Sequence, residues 1–276
     1  MNYKQITLAA LLACTTVLFG QTVIQAKDVS TNSSIPPALT QVKEDPEWSG
    51  IMDHLLNEDI PAHLHLSAQK RELLTLAVLT ALPAPQEISG HVEHALQLGA
   101  TPEEIRETLL QTTPYAGYPK TKASIEQMYK AFKKQGIRFP ISPQGIVTGE
   151  TRYEKGLEKQ VAIAGDRILR RMETAPSDEA HINTLLAENC FGDYYTRNIL
   201  SLKDRELITF VTIAALGGAD PQVRGHVSAN VAAGNTRQDL LDAITVALPY
   251  MGYPRTLNAL AAINAIVPAE TSQKGN

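Results

Sequence analysis

Cysteine is almost absent from this chain. The 276 residues include two cysteines, Cys14 and Cys190, and Cys14 lies in an apolar run near the N-terminus. If that run is removed as a secretory signal after Ala26, Cys190 is the one cysteine left in the mature chain. An intrachain disulfide is then excluded, although exported proteins often depend on one.

Concentrated positive charge is also lacking. Lysine and arginine number 25 against 29 aspartates and glutamates, which gives a formal net charge of -4, and no long basic run occurs. This balance argues against a nucleic-acid-binding surface. With 43% hydrophobic residues the chain can build a substantial core, and its length suits one or two domains.

The N-terminal region has the pattern of a secretory signal. An apolar run from Ile6 to about Gly20 follows a short polar start, and small residues lead up to Ala26. The run is short for a membrane span. We therefore expect export to the periplasm or the medium; a lipoprotein anchored through Cys14 and a retained apolar anchor are the alternatives. Residues 27–47 are predicted to be a polar linker.

One unit occurs twice in the sequence. The octet PYAGYPKT begins at Pro114 and PYMGYPRT at Pro249, and the upstream stretches KRELLTLAVLTAL and DRELITFVTIAAL also match. Repetition in the same order indicates a tandem duplication. The predicted segments are the signal (1–26), the linker (27–47), a first unit (48–136), a connecting segment (137–178), a second unit (179–268) and a tail (269–276).

Apolar residues within each unit recur at steps of three and four residues, which is the spacing of one helical face. Ser67 and Ser201 are placed to cap one such helix in the two copies, and Gly99 and Gly234 are placed to end the next. No stretch has the alternation of a strand. The sequence therefore predicts an all-α fold with five or six helices in each unit.

The repeated octet is expected to join two helices. Its glycine permits a tight backbone, and its second proline can begin the following helix. The tyrosines either pack this corner or line a pocket, and both interpretations stay open. Tyr115 and Tyr250 are the candidates for contact with a substrate.

Three polar positions recur within apolar helices: Arg71, Glu72 and His91 in the first copy, and Arg205, Glu206 and His226 in the second. A carboxylate in such a setting is usually paired or functional. If the glutamate meets the histidine, the pair can exchange a proton; burial would raise the pKa of the glutamate and the charge of the histidine would lower it. The alternative is a buried Arg-Glu ion pair beside a histidine bonded to a backbone carbonyl.

These motifs together resemble the carboxymuconolactone decarboxylase family. Both copies carry REL at the start of an apolar helix, then GHV followed by GxT, then YxGYP, and the resemblance covers nearly all of the chain after the linker. It implies two tandem all-helical units of the alkylhydroperoxidase D-like kind. Because such units assemble as a ring of six, a chain with two units is expected to form a homotrimer.

The resemblance also bears on the reaction. In the peroxidase branch a Cys-x-x-Cys pair precedes the histidine, but the matching positions here are Ala84 and Glu87, and Ala219 and Gln222. A thiol peroxidase needs an attacking thiolate and a resolving partner, so peroxidase or peroxiredoxin-like activity is disfavoured. Cys190 is expected to be a small buried hydrophobic residue.

The lactone decarboxylase branch uses neither a metal nor a redox cofactor. The resemblance implies acid-base chemistry on a small acidic molecule, either decarboxylation or lactone chemistry. It gives proton transfer to the two histidines, orientation or sharing of that proton to the two glutamates, and pairing with a substrate carboxylate to the two arginines. A non-catalytic helical ring that binds a small ligand is the alternative.

A metal site is a further possibility in the first copy. His94 follows the first-copy histidine by one turn, and Glu87, His63 and His65 are near in sequence. The second copy has Ala229 in place of His94. Since a duplicated metal site should keep its ligands, we expect no metal and predict that His94 is a surface residue.

The two copies differ just before their shared motifs. FGDYYTRNILSL precedes the second, whereas LLNEDIPAHLHLSAQ, without that aromatic segment, precedes the first. One copy can be catalytic and the other a scaffold, or both can act. The sequence leaves this open.

Overall fold

The computed structural model describes residues 34–269, and this part of the chain is helical without a β-strand. The prediction of an all-α fold is thereby confirmed. None of the helices in residues 34–269 has the length and apolar character that crossing a bilayer requires. The predicted signal, Cys14 and the start of the linker lie outside the described residues, as does most of the predicted tail.

The first unit consists of α-helices joined by short turns. A 3-10 turn (Pro37–Leu39), α1 (Pro46–His54), a π-helical turn (Leu55–Asp59) and another 3-10 turn (Pro61–His63) lead into α2 (Ala68–Ala81), α3 (Pro85–Gln97), α4 (Pro102–Ala116) and α5 (Tyr118–Lys134). The Ser67 side chain caps α2 by accepting a hydrogen bond from the Lys70 N–H. The Thr101 side chain and Glu104 form a capping box at the start of α4.

The second unit repeats this order after two connecting helices, α6 (Arg152–Ala164) and α7 (Arg167–Thr174). Its own elements are α8 (Ala180–Leu185), a π-helical segment (Leu186–Tyr195), α9 (Leu202–Leu216), α10 (Asp220–Ala232) and α11 (Arg237–Ile266). In α11 the backbone breaks at Gly252, where φ is 78°, and Gly117 separates α4 from α5 with φ of 87°. The prediction that each octet joins two helices through its glycine is therefore confirmed.

One hydrophobic core cluster spans both units, and a second is formed by α2, α3, α4 and α5 of the first unit. Helices α2 and α9 pack against each other and are buried on nearly all sides, which is why their apolar residues do not form a single stripe. Leu74 and Val78 of α2 share this core with Leu207 and Phe210 of α9. The two copies are thus halves of one packed body, and neither buries its central helix without the other.

The connecting helix α6 holds the π-helical segment that precedes α9. A Cβ atom at Gly156 would lie 1.9 Å from the Ala187 carbonyl oxygen, and one at Gly192 would lie 2.3 Å from the Arg152 carbonyl oxygen. The two backbones therefore approach as closely as they do because both positions are glycine. This contact holds the aromatic segment FGDYY, which lies in the π-helical segment, against α6.

Candidate functional site

The first-unit site is centred on Glu72 of α2 and His91 of α3. The His91 Nδ1 lies 2.6 Å from Glu72 Oε1, and both side chains are almost fully buried. Burial alone would raise the pKa of Glu72, but the hydrogen bond and charge of His91, with the charge of His94 nearby, lower it to about 2. Because an ionised carboxylate only accepts hydrogen bonds, Nδ1 of His91 must carry the proton, and Nε2 is the nitrogen left for exchange.

His94 belongs to the same site, so the prediction that it is a surface residue is wrong. Its side chain is 5% exposed, and Nδ1 lies 3.2 Å from Glu72 Oε2. One helical turn separates it from His91, which places both imidazoles on the face of α3 that packs on α2. The carboxylate of Glu72 is therefore flanked by two imidazoles.

The second-unit site repeats the glutamate-histidine contact with a different surrounding. The His226 Nδ1 lies 2.8 Å from Glu206 Oε2, with Glu206 fully buried and His226 18% exposed. Ala229 stands where the first unit has His94, and Glu206 Oε1 has no hydrogen-bond partner among the described residues. The glutamate-histidine contact, one of the two arrangements that the sequence left open, is present in both units.

The first tyrosine of each octet contacts the site of the other unit. The ring of Tyr250 lies edge-on to that of His91, and the ring of Tyr115 lies edge-on to that of His226. The second tyrosines, Tyr118 and Tyr253, are exposed. Each site is thus completed across the boundary between the units.

Sequence reasoning did not single out Tyr195, which lies at the second-unit site. Its hydroxyl is 2.9 Å from the hydroxyl of Tyr115 and 3.1 Å from Thr209 Oγ1. The aromatic segment FGDYY, found before one copy only, was the available signal. Burial raises the pKa of both tyrosines well above the usual range, so they are neutral hydrogen-bonding groups.

Cys190 lies beside these tyrosines and is buried, as predicted. Burial raises the pKa of its thiol to about 12, and the nearby charge of Glu206 acts in the same direction. A thiol with such a pKa is protonated at neutral pH and is a poor nucleophile.

The two equivalent arginines occupy different surroundings. Arg205 is fully buried, with Nη1 donating to Gln111 Oε1 at 2.8 Å and Nη2 donating to the Arg197 and Asn198 carbonyls. Burial lowers its pKa to about 10, so it stays charged at neutral pH. Two nitrogens of this guanidinium are bonded to acceptors of the protein itself, whereas the buried Nε has no hydrogen-bond partner among the described residues. The contact of Arg205 with a substrate carboxylate stays a prediction.

Arg71 is half-buried and lines a cavity of about 40 Å³ together with Glu72, His94 and Tyr250. The remaining walls are mostly apolar. Burial lowers the pKa of Arg71, while the charges of Asp242 and Glu72 oppose that change. His91 is not among the lining residues, so His94 is the imidazole that faces this cavity.

His91 and His94 are together at Glu72, but His65, which was also considered for a metal site, lies elsewhere. In residues 34–269 no group of three or more histidine, cysteine or acidic side chains is arranged to hold a metal ion. His65 lies against Asp242, with Nδ1 3.5 Å from Oδ1, rather than beside His94. Both oxygens of Glu72 face imidazole Nδ1 atoms.

Comparison with known proteins places these sites in a family. The model of the carboxymuconolactone decarboxylase family matches residues 46–129 and 181–265. The chain therefore belongs to this family, as a member with two tandem units.

Two relatives illustrate the range of similarity. The chain is 28% identical over 197 residues to Peroxisomal protein 2 of Schizosaccharomyces pombe, which covers 68% of this chain and 85% of that protein. It is 35% identical over 72 residues to 4-carboxymuconolactone decarboxylase of Acinetobacter baylyi, which covers 26% of this chain and 54% of that protein. The chain thus spans about half the length of the Acinetobacter relative.

Proposed function

We propose that this protein is an enzyme that performs cofactor-free acid-base chemistry, decarboxylation or lactone chemistry, on a small carboxylated molecule. The observation that carries the proposal is the buried Glu72 carboxylate, which lies 2.6 Å from Nδ1 of His91 and 3.2 Å from Nδ1 of His94, the imidazole that faces the cavity. A histidine held in this way can accept and return a proton at one defined nitrogen. The Glu206–His226 pair repeats the contact between Glu72 and His91.

The proposed reaction needs only groups of this kind. In decarboxylation the bond between carbon and the carboxylate breaks, carbon dioxide leaves, and the electron pair is held on a conjugated carbonyl as an enolate. An imidazolium then gives its proton to the carbon that lost carbon dioxide. The neutral imidazole that remains takes a proton from water and becomes an imidazolium again. The glutamate stabilises the imidazolium in the meantime, and an arginine can hold the carboxylate of the substrate.

The name of the Acinetobacter relative supports this reaction class, although the alignment covers 26% of this chain. Peroxidase activity of the alkylhydroperoxidase kind is disfavoured. The cysteine pair is missing from the matching positions, and Cys190 is buried with a raised pKa.

The test is a screen of the purified full chain against small lactones, β-keto acids and hydroperoxides, beside a Glu72→Gln/Glu206→Gln double variant. General acid-base groups contribute about 10²–10⁴-fold, so the variant should lose at least about a hundredfold in turnover while circular dichroism shows an intact fold. Equal turnover by both proteins would overturn the proposal. If the wild type turned over nothing and the variant were only less stable, the alternative of a non-catalytic ligand-binding ring would be favoured.

We also propose that the protein is exported and that three chains form a ring of six units. The signal-like pattern before Ala26 motivates the first statement, and the family resemblance motivates the second. Light scattering after size exclusion should give three times the mass of the mature chain, and the periplasmic or culture fraction should contain the protein. A monomer, or a protein retained in the cytoplasm, would contradict them.

A further inference from the structure

Equivalent positions beside the two glutamates hold side chains of different size. Tyr195 stands six residues before the capping Ser201, as Pro61 stands six residues before Ser67. Gln111 lies three residues before Pro114, which begins the first octet, and Val246 lies three residues before Pro249, which begins the second. The second-unit site is thus surrounded by the larger side chain at both positions.

These larger side chains occupy the space beside Thr209, which is the second-unit counterpart of Thr75 in the first-unit cavity. The Tyr195 hydroxyl lies 3.1 Å from Thr209 Oγ1, and Gln111 Nε2 donates to the same oxygen at 3.2 Å. In the first unit the cavity of about 40 Å³ beside Glu72 is lined by Pro61 and Val246 instead. The space open in one unit is occupied by protein in the other.

The difference between Gln111 and Val246 also determines which partners the two arginines find within the protein. Gln111 accepts from Arg205, whereas Val246, its counterpart, offers Arg71 no acceptor. Arg71 makes no side-chain hydrogen bond or ion pair with any described residue, and it lines the cavity. A guanidinium that is half-buried, lines a cavity and has no protein acceptor can take the carboxylate of a ligand.

The acidic groups near Arg71 are already satisfied elsewhere. Glu72 lies against His91 and His94, as described above. Asp242 accepts hydrogen bonds from the His65 and Leu66 backbone N–H groups, at 2.5 and 2.8 Å, and from Gln238 Nε2. Neither carboxylate makes a contact ion pair with Arg71, so a carboxylate on a ligand can take that place.

The rest of the cavity selects the body of the ligand. Leu56, Ile60, Leu64 and Val246 contribute apolar walls, and three of these come from the turns that precede α2. A volume of about 40 Å³ is well below the usual range for ligand sites, about 300–1,000 Å³, so only a ligand of a few heavy atoms fits without movement of residues 55–64.

We propose that the two units have different tasks. The first-unit site binds a small carboxylate with an apolar body; Arg71 receives the carboxylate, and His94 is the imidazole that faces it. The second-unit site is closed and supports the fold. The class of ligand rests on the proposed function. The division between the units rests on the paired positions alone.

The test uses isobutyrate as a probe, and its neutral isostere isobutyramide as a control, in calorimetric titrations of the full chain. Isobutyrate should bind at least tenfold more tightly than isobutyramide. Val246→Gln gives Arg71 the acceptor that Gln111 gives Arg205 and fills the cavity, so it should weaken isobutyrate binding at least tenfold. Gln111→Val is the matched change in the second unit and should leave binding unchanged.

Arg71→Gln provides a second variant in case the larger side chain at position 246 impairs folding, and it should also weaken binding at least tenfold. Binding that survives both first-unit variants, binding lost in Gln111→Val, or no preference of the wild type for isobutyrate would overturn the proposal. Binding that behaves as expected without turnover of any substrate would contradict the proposed enzyme but not the division between the units.

Discussion

The ring of Tyr250, from the second unit, lies edge-on to the ring of His91, from the first, with centroids 5.9 Å apart and planes at 79°. The reciprocal contact joins Tyr115 and His226 at 5.4 Å and 88°. Such edge contacts between rings are favourable beyond the area they bury. Each histidine is thus positioned partly by the other copy, so the duplication within one chain builds both sites together.

The ring of Tyr250 provides a direct test of this arrangement. It lies edge-on to the ring of His91 in the first-unit site, whereas Tyr253 is 61% exposed. Tyr250→Leu removes the ring and its edge contact, so we expect a loss of about 1 kcal/mol in the free energy of unfolding. Tyr253→Leu, the matched change on the surface, should have no measurable effect. Equal urea unfolding midpoints for the two variants would contradict the contact.

The stability of the protein should depend on Glu72 in a pH-dependent way. Its pKa of about 2 in the folded chain lies below the ordinary value of 4.5, so the ionised group stabilises the fold above about pH 4.5. That contribution, on the order of 3 kcal/mol, is lost as the pH falls toward 2. We therefore expect Glu72→Gln to unfold at lower urea concentration than the wild type at pH 6, and this difference to shrink below about pH 4.5.

Urea unfolding at a series of pH values measures this difference. Glu58→Gln is the matched control, because Glu58 is exposed and its ion pair with His54 contributes little. A difference between wild type and Glu72→Gln that stays constant from pH 6 to pH 3 would mean that the buried carboxylate is not held ionised by its imidazole neighbours.

The all-α fold could be predicted because it depends on local spacing. The octet specifies a helix break through Gly117 and Gly252, and the repeated motifs align Glu72 with Glu206. Whether each glutamate meets the histidine of the next helix depends on how the two helices pack, so the sequence left that contact open beside a buried Arg-Glu ion pair.

The remaining features depend on packing between distant segments. The burial of His94 was missed because Ala229 in the other copy suggested a dispensable surface position, whereas the buried face of α3 is set by its contact with α2. The different surroundings of Arg71 and Arg205 follow from Val246 and Gln111, which are far away in sequence. No local pattern encodes which of two equivalent arginines finds a partner.

Two glycines in helices should respond oppositely to alanine. Gly225 is exposed in α10 with open space around its Cα, so Gly225→Ala should raise the free energy of unfolding by about 0.5–1 kcal/mol. Gly156→Ala would place Cβ 1.9 Å from the Ala187 carbonyl oxygen and should lower it by about 1–3 kcal/mol. Thermal unfolding of both variants measures this; a stabilising Gly156→Ala would contradict the close contact of α6 with the π-helical segment.

The reactivity of Cys190 tests the exclusion of thiol chemistry. The side chain is 5% exposed, and burial raises the pKa of the thiol to about 12, so very little thiolate exists at pH 8. In a full chain carrying Cys14→Ser, which leaves Cys190 as the one thiol, labelling by a chromogenic disulfide at pH 8 should be at least about a hundredfold slower in the native protein than in urea. Hydrogen peroxide should likewise leave the native thiol reduced over minutes, as measured by later labelling of the unfolded chain. Rapid labelling of the native protein, or rapid oxidation by peroxide, would contradict the buried thiol and support the peroxidase alternative.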